Sequence, residues 1–145
     1  MKQKTSWISE KDIKRNWHIV DVSGAVLGRA ATQIAQLLIG KSKVDRVPNM
    51  DCGDYVVVIN SDNVEVTGNK AQQKEYFRHS GYPGGTKTIT FEKQMDKDSR
   101  FVIEKAVKNM LPKTKFRDQV MARLHVYVGT DHKHEAQKPV EYKLS

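Results

Sequence analysis

The stretch Gly81-Tyr82-Pro83-Gly84-Gly85-Thr86-Lys87-Thr88 combines glycines, threonines and a lysine, the residue types with which a chain cradles phosphates. A nucleotide-binding loop sets glycine directly before the lysine and runs straight into a long helix. Here Thr86 intervenes and Pro83 stiffens the loop, which argues against nucleotide hydrolysis. What remains is a glycine-rich loop, flanked by Arg78, His79 and Lys87, whose Gly84 and Gly85 let main-chain N–H groups approach a phosphate backbone. A second glycine pair, Gly24-Ala25-Val26-Leu27-Gly28, falls short of the three-glycine dinucleotide fingerprint and reads as close packing of a helix on a sheet. His132 and His134, with Asp131 and Glu135 nearby, suggest a metal site. However, no third or fourth ligand stands at a recognised spacing, and Lys133 between the two histidines repels a cation, so they read as surface polar contacts. Cys52 lies between Asp51 and Asp54, where carboxylates work against a thiolate nucleophile, and reads as a small buried apolar group. Spacing alone assembles no Ser, His and Asp set. The expectation is no catalysis, no metal, no cofactor and no small-molecule substrate.

Charge points elsewhere. The 145 residues carry 25 Lys and Arg against 17 Asp and Glu, a net charge of +8. The excess lies towards the ends, with 9 basic against 4 acidic residues over 105–145 and 6 against 3 over 1–40. Polyanions bind such surfaces because each neutralised phosphate releases condensed counterions, although composition alone also fits a solubilising surface. The longest apolar run, Tyr55-Val56-Val57-Val58-Ile59, is far short of the roughly 18 residues a membrane-spanning helix needs, so no membrane partner is expected. A basic start with no apolar stretch behind it excludes a secretory signal, and a single cysteine suits the reducing cytoplasm.

The elements that position these residues follow from periodicity. Trp17 to Val22 is β-branched and aromatic and reads as a strand. From Leu27, apolar residues at Ala30, Ala31, Ile34, Leu37 and Leu38 keep helical spacing, and Gly40 suits a left-handed C-terminal cap. Tyr55 to Ile59 is continuously apolar, the pattern of a strand buried on both faces, which favours a parallel or mixed α/β sheet. Val64 to Thr67 and Glu75 to His79 read as short edge elements. After Ser99, residues Val102, Ile103, Ala106, Val107, Met110 and Leu111 share one apolar helix face, and Pro112 ends it. Phe116, Val120 and Met121 suggest a shorter helix, and Leu124 to Val128 an alternating strand. One domain is expected over 1–145, with an N-terminal arm over 1–16, holding one turn capped by Ser9, and an extended C-terminal tail over 130–145.

Several segments, in order, resemble a known family. They are Leu27-Gly28-Arg29, Gly53 to Asn60, Val66 to Lys70, Pro83-Gly84-Gly85, Val107 to Lys113 and Tyr127 to Pro139. Together they are similar to bacterial large-subunit ribosomal protein L thirteen over about residues 17 to 139, and Met110-Leu111-Pro112 is the most specific part. Asn109 stands where that family usually has Gly, Cys52 where Thr is common and Lys138 where Gln is common. Asn at 109 is compatible with a left-handed backbone angle there.

The resemblance implies a three-layer α/β/α fold around a four-stranded, mainly parallel sheet, and a non-enzymatic constituent of the large ribosomal subunit that joins early in assembly. Its partners would be 23S rRNA and neighbouring large-subunit proteins; messenger RNA enters as a partner only under the rival reading of a free-standing regulator. The lack of a transit extension before Trp7 fits a bacterial rather than an organellar protein. Folded RNA offers phosphates and a shallow minor groove, so lysines, arginines and main-chain N–H groups suffice for docking. The expected rRNA contacts are Arg29; Lys41, Lys43 and Arg46; Lys70 and Lys74; Arg78, His79, Gly84, Gly85 and Lys87; Lys108, Lys113, Lys115 and Arg117; and His132, Lys133, His134 and Lys138. The rival readings are an enzyme on an α/β scaffold, for which the residues offer no constellation, and a free-standing regulator of messenger RNA.

Overall fold

The computed structural model describes residues 8–144. Its centre is a four-stranded sheet in the order β5-β2-β1-β6, built from β1 (Trp17–Asp21), β2 (Tyr55–Ile59), β5 (Leu124–Val126) and β6 (Val140–Glu141). All three pairings are parallel: Trp17 stands beside Tyr55, Val56 beside Leu124 and His18 beside Val140. β2 is an inner strand, and Val56, Val57 and Val58 are fully buried, which is why its sequence is apolar without alternation.

β1 and β2 are joined through helix α1 (Leu27–Ile39), whose buried stripe runs Leu27, Ala30, Ala31, Ile34, Ala35, Leu37 and Leu38. Gly40 ends α1 at φ 71°, and its N–H bonds Leu37 O at 3.0 Å. A Cβ there would sit 2.8 Å from Cys52 O, so the left-handed cap and the close approach both demand glycine. Cys52 is buried and unpaired beside it.

Helix α4 (Ser99–Met110) lies against α1 and buries Val102, Ile103 and Val107. The Asp98 side chain caps it by accepting from Arg100 N at 3.1 Å, and Ser99 Oγ lies 2.7 Å from Ser61 Oγ just past the end of β2. α1 and α4 cover the sheet face that carries Val20, Val22, Val56, Val58, Leu124 and Val126. Against the other face lies the segment after β5, with a 3-10 turn at Glu135–Gln137; the His134 ring packs there, tilted, against Trp17 and His125. Helices, sheet and this cover make the expected three layers.

A separate unit stands beside the core: α2 (Lys70–Gln73), the antiparallel hairpin β3 (Glu75–His79) and β4 (Thr86–Thr90), and α3 (Phe91–Lys97). α5 (Arg117–Met121) precedes β5.

Four expectations need correction. Met110 is 42% exposed, although its angular position on α4 matches that of the buried Ile103. At the last turn of the helix Met110 lines an open cleft, where its Sδ lies 3.4 Å from Thr32 Oγ1. Asn109 is an ordinary helical residue; among the described residues the non-glycine residues with positive φ are Asn60 and Lys138. Part of the segment expected as an extended surface tail is strand β6, where Tyr142 N bonds Ile19 O at 2.8 Å. Ser9 precedes a 3-10 turn over Glu10–Asp12 without a side-chain cap; its carbonyl accepts from Asp12 N instead. Residues 1–7 of the expected arm lie outside the described residues.

Candidate nucleic-acid interface

The glycine-rich loop is the tip of the β3–β4 hairpin. Gly85 N bonds Tyr82 O at 2.9 Å, with Pro83 and Gly84 between them and Gly84 at φ 72°, a type II turn with proline and glycine in their preferred places. A Cβ on Gly85 would fall 2.0 Å from Ser80 Oγ, so both glycines serve the turn itself. Behind the tip, Arg78 stands opposite Lys87 and His79 opposite Thr86, and all four are exposed. His79 Nδ1 accepts from Gly81 N at 2.9 Å, which orients the ring. The hairpin is rooted by Tyr76, whose ring meets Phe101 edge-on at 5.8 Å, while Phe91 N bonds Lys74 O at 2.8 Å.

Lys70 and Lys74 line an open cleft of about 590 Å³ between α2, the start of α1 (Val26, Leu27, Gly28) and the end of α4 (Ala106, Asn109, Met110). Lys74 Nζ sits 5.5 Å from the centroid of the Tyr76 ring. Partial burial lowers the pKa of Lys74, and Lys70 adds to that shift, so the two ammonium groups lie near each other with no carboxylate partner among the described residues. Burial also raises the pKa of Tyr76, whose buried hydroxyl has no hydrogen-bond partner.

A third group gathers where α1 and α4 end. Arg46 and Arg117 line a small depression with Leu111 and Pro112, and Lys113 and Lys115 stand exposed in the connection to α5. Arg117 also donates to Pro112 O at 3.3 Å and Leu111 O at 3.4 Å, carbonyls just past α4. Lys108 lies 4.0 Å from the exposed Asp118, a pair too solvated to restrain it.

Other expected contacts are engaged differently or lie apart. Lys43 donates to Asp54 Oδ1 at 2.5 Å and to Lys14 O at 2.7 Å, and Asp54, itself buried, also meets His18 Nε2 at 3.2 Å. That lysine holds the approach to β1 against β2. Arg29 lies on another flank of α1, beside Tyr142, and Lys41 is exposed after the cap. In the tail, His134 packs 4.4 Å from His125 and 4.9 Å from Trp17, and His132 Nδ1 accepts from His134 N at 3.3 Å. Lys133 and Lys138 are exposed, and Lys138 has φ 48°.

Three residues escaped the sequence reading. Arg123 is buried and its guanidinium grips the Asp51 carboxylate through both terminal nitrogens, while also donating to Leu38 O at 3.2 Å and Asp54 O at 3.3 Å. A lone arginine just before an apolar strand carries no signal of burial, because its partners come from distant segments. Phe77 and Tyr82 are 64% and 75% exposed. Their signal was present: aromatic residues interleaved with Arg78, His79 and Lys87, in a segment whose alternation turns Phe77 away from the rooted Tyr76.

Among the described residues, no group of three or more His, Cys, Asp or Glu is gathered for a metal. An all-parallel α/β core that presents basic side chains on a hairpin, a cleft and the helix ends defines a scaffold protein with a surface suited to polyanions. Residues 15–133 match the family model of ribosomal protein L13. Over 142 residues the chain is 47% identical to a large ribosomal subunit protein uL13 of Thermotoga petrophila, covering 98% of this chain and 95% of that one. It is 50% identical over 141 residues to a protein of that name in Idiomarina loihiensis, covering 97% and 99%, and 48% identical over 134 residues to one in Thermobifida fusca, covering 92% and 90%. The chain belongs to the ribosomal protein L13 family.

Proposed function

We propose that this chain is a structural constituent of the large ribosomal subunit that binds 23S rRNA directly, joins early in subunit assembly, contacts neighbouring large-subunit proteins and performs no reaction. The name of its relatives places them in that subunit. The observation that carries the direct rRNA contact is that Lys70, Lys74, Arg78 and Lys87 have no carboxylate partner among the described residues. Cations left unpaired on a rigid scaffold hold counterions that a phosphate backbone displaces, and the entropy of that release drives association. The contacts with sugar and phosphate set register, and the shape of the folded RNA supplies selectivity. A cytoplasmic ribosome is the compartment that suits a single, unpaired cysteine.

The test is titration of bacterial large-subunit rRNA with the full-length protein across a salt series. Affinity falls linearly in a log-log plot, and Lys70→Ala, Lys74→Ala and Lys87→Ala each reduce the slope by about 0.7 to 0.9. A salt-independent affinity, or none for rRNA, defeats the reading. Sedimentation of a lysate through high salt separates ribosomal residence, seen as co-migration with large subunits, from a free regulator of messenger RNA.

A further inference from the structure

We propose that the β3–β4 hairpin is a stacking platform for unpaired nucleotides, with Phe77 and Tyr82 as the rings that receive bases and Arg78 and Lys87 as the cations that hold the same strand's phosphates. This rests on the rRNA reading and adds to it a specific ligand, single-stranded RNA, and two residues outside the basic set. Phe77 and Tyr82 are 64% and 75% exposed, whereas Tyr76 beside Phe77 turns inward onto Phe101. The rings left outside are therefore not failures of packing: the strand had an inner face and used it.

Phe77 and His79 lie on one face of β3 with centroids 6.2 Å apart and planes within 18°, so two aromatic surfaces stand in the same orientation without closing on each other. The bond from Gly81 N to His79 Nδ1 leaves the neutral ring with its proton on Nε2, pointing a donor away from the turn. The type II turn at Tyr82 to Gly85 holds the third ring at the tip.

The charge of the hairpin selects the occupant. Over residues 75–90 the sole carboxylate is Glu75, at the root, while Arg78 and Lys87 stand opposite each other near the tip on the Tyr76 face of the two-stranded ribbon, so a strand stacked on Phe77 reaches them by crossing the ribbon's edge. An apolar protein segment would gain from the rings alone, but a polyanion gains from rings and cations together. Within nucleic acids, a duplex hides its base faces, so unpaired bases are what aromatic side chains can stack upon. The platform is tolerant of sequence because every base has a π-face.

The experiment compares a 12-nucleotide single-stranded RNA, an RNA duplex of equal length and large-subunit rRNA as ligands of the full chain. Phe77→Ala and Tyr82→Ala are expected to weaken binding of the single strand and of rRNA by on the order of tenfold each, leaving the log-log salt slope unchanged. Arg78→Ala and Lys87→Ala lower that slope by about 0.7 each, and Phe77→Trp keeps the affinity that Phe77→Ala loses. Because both rings are exposed, the alanine variants should melt as the parent does. Wild-type affinity for rRNA and for the single strand in both alanine variants overturns the platform while the rRNA reading stands. So does loss confined to capture of another ribosomal protein, which makes the rings a protein-docking face. If the unaltered chain binds no rRNA, the wider reading falls and takes the platform with it.

Discussion

Arg123→Ala removes a side chain that bonds Asp51, Leu38 O and Asp54 O, and its cost follows from those contacts. The Arg123 and Asp51 side chains are 7% and 11% exposed. Deleting the guanidinium strands a nearly buried carboxylate and leaves Leu38 O and Asp54 O without their side-chain donors. Breaking a buried pair from one side costs about 3–5 kcal/mol, mostly because the remaining charge is uncompensated. For a chain near 150 residues each kcal/mol moves the melting temperature by about 2–4 °C, so a fall of roughly 10–15 °C is expected.

Arg123→Lys keeps the charge but offers a point donor where a planar fork serves three acceptor groups, and it should recover less than half of the loss. The assay is urea and thermal unfolding of the four proteins of a cycle: parent, Arg123→Ala, Asp51→Ala and the double variant. Removing both partners leaves neither charge of the pair stranded, so the double variant should fall short of the summed losses by about 2 kcal/mol. A loss below about 1 kcal/mol for Arg123→Ala, or strict additivity in the cycle, would refute the argument that this pair ties the end of α1 to the start of β5.

Three further outcomes are expected. Met110→Asp should cost under about 1 kcal/mol because Met110 is 42% exposed, whereas Val107→Asp buries an unpaired carboxylate in a fully enclosed position and should prevent folding; comparable melts for the two would contradict the helix phase described above. Burial, and then the neighbouring His134, depress the pKa of His125 below its ordinary 6.5, so the unfolded chain takes up a proton before the native one as pH falls. Stability should therefore decline on acidification below about pH 6.5, and urea titrations at pH 7.5 and 5.5 should show a smaller difference in His125→Gln. Tyr142→Pro deletes the N–H that bonds Ile19 O and should loosen β6, read as faster amide exchange along β1 with the rest of the core still protected.

The linear sequence determined the parts whose signal is local. The helical spacing from Leu27 to Leu38, the cap at Gly40 and the unbroken apolar run Tyr55 to Ile59 each follow from the residues of a single segment, and together they favoured a parallel or mixed α/β sheet. The basic residues and their bias to the chain ends were equally plain.

Only the tertiary structure decided what depends on the meeting of distant segments. Met110 has the angular position of a core residue, but burial needs a covering element, and the cleft between α2 and the start of α1 opens at that point. Thr86–Thr90 has no buried face to announce it, and it became a strand because the Tyr82 to Gly85 turn folds it back on Glu75–His79. Val140–Glu141 is too short and polar to predict alone, and it is a strand because β1 offers it an edge. Charge is legible in one dimension, but its use is not. Lys43 spends its ammonium on Asp54 and Arg123 is enclosed by three segments, while Lys70, Lys74, Arg78 and Lys87 have no carboxylate partner among the described residues.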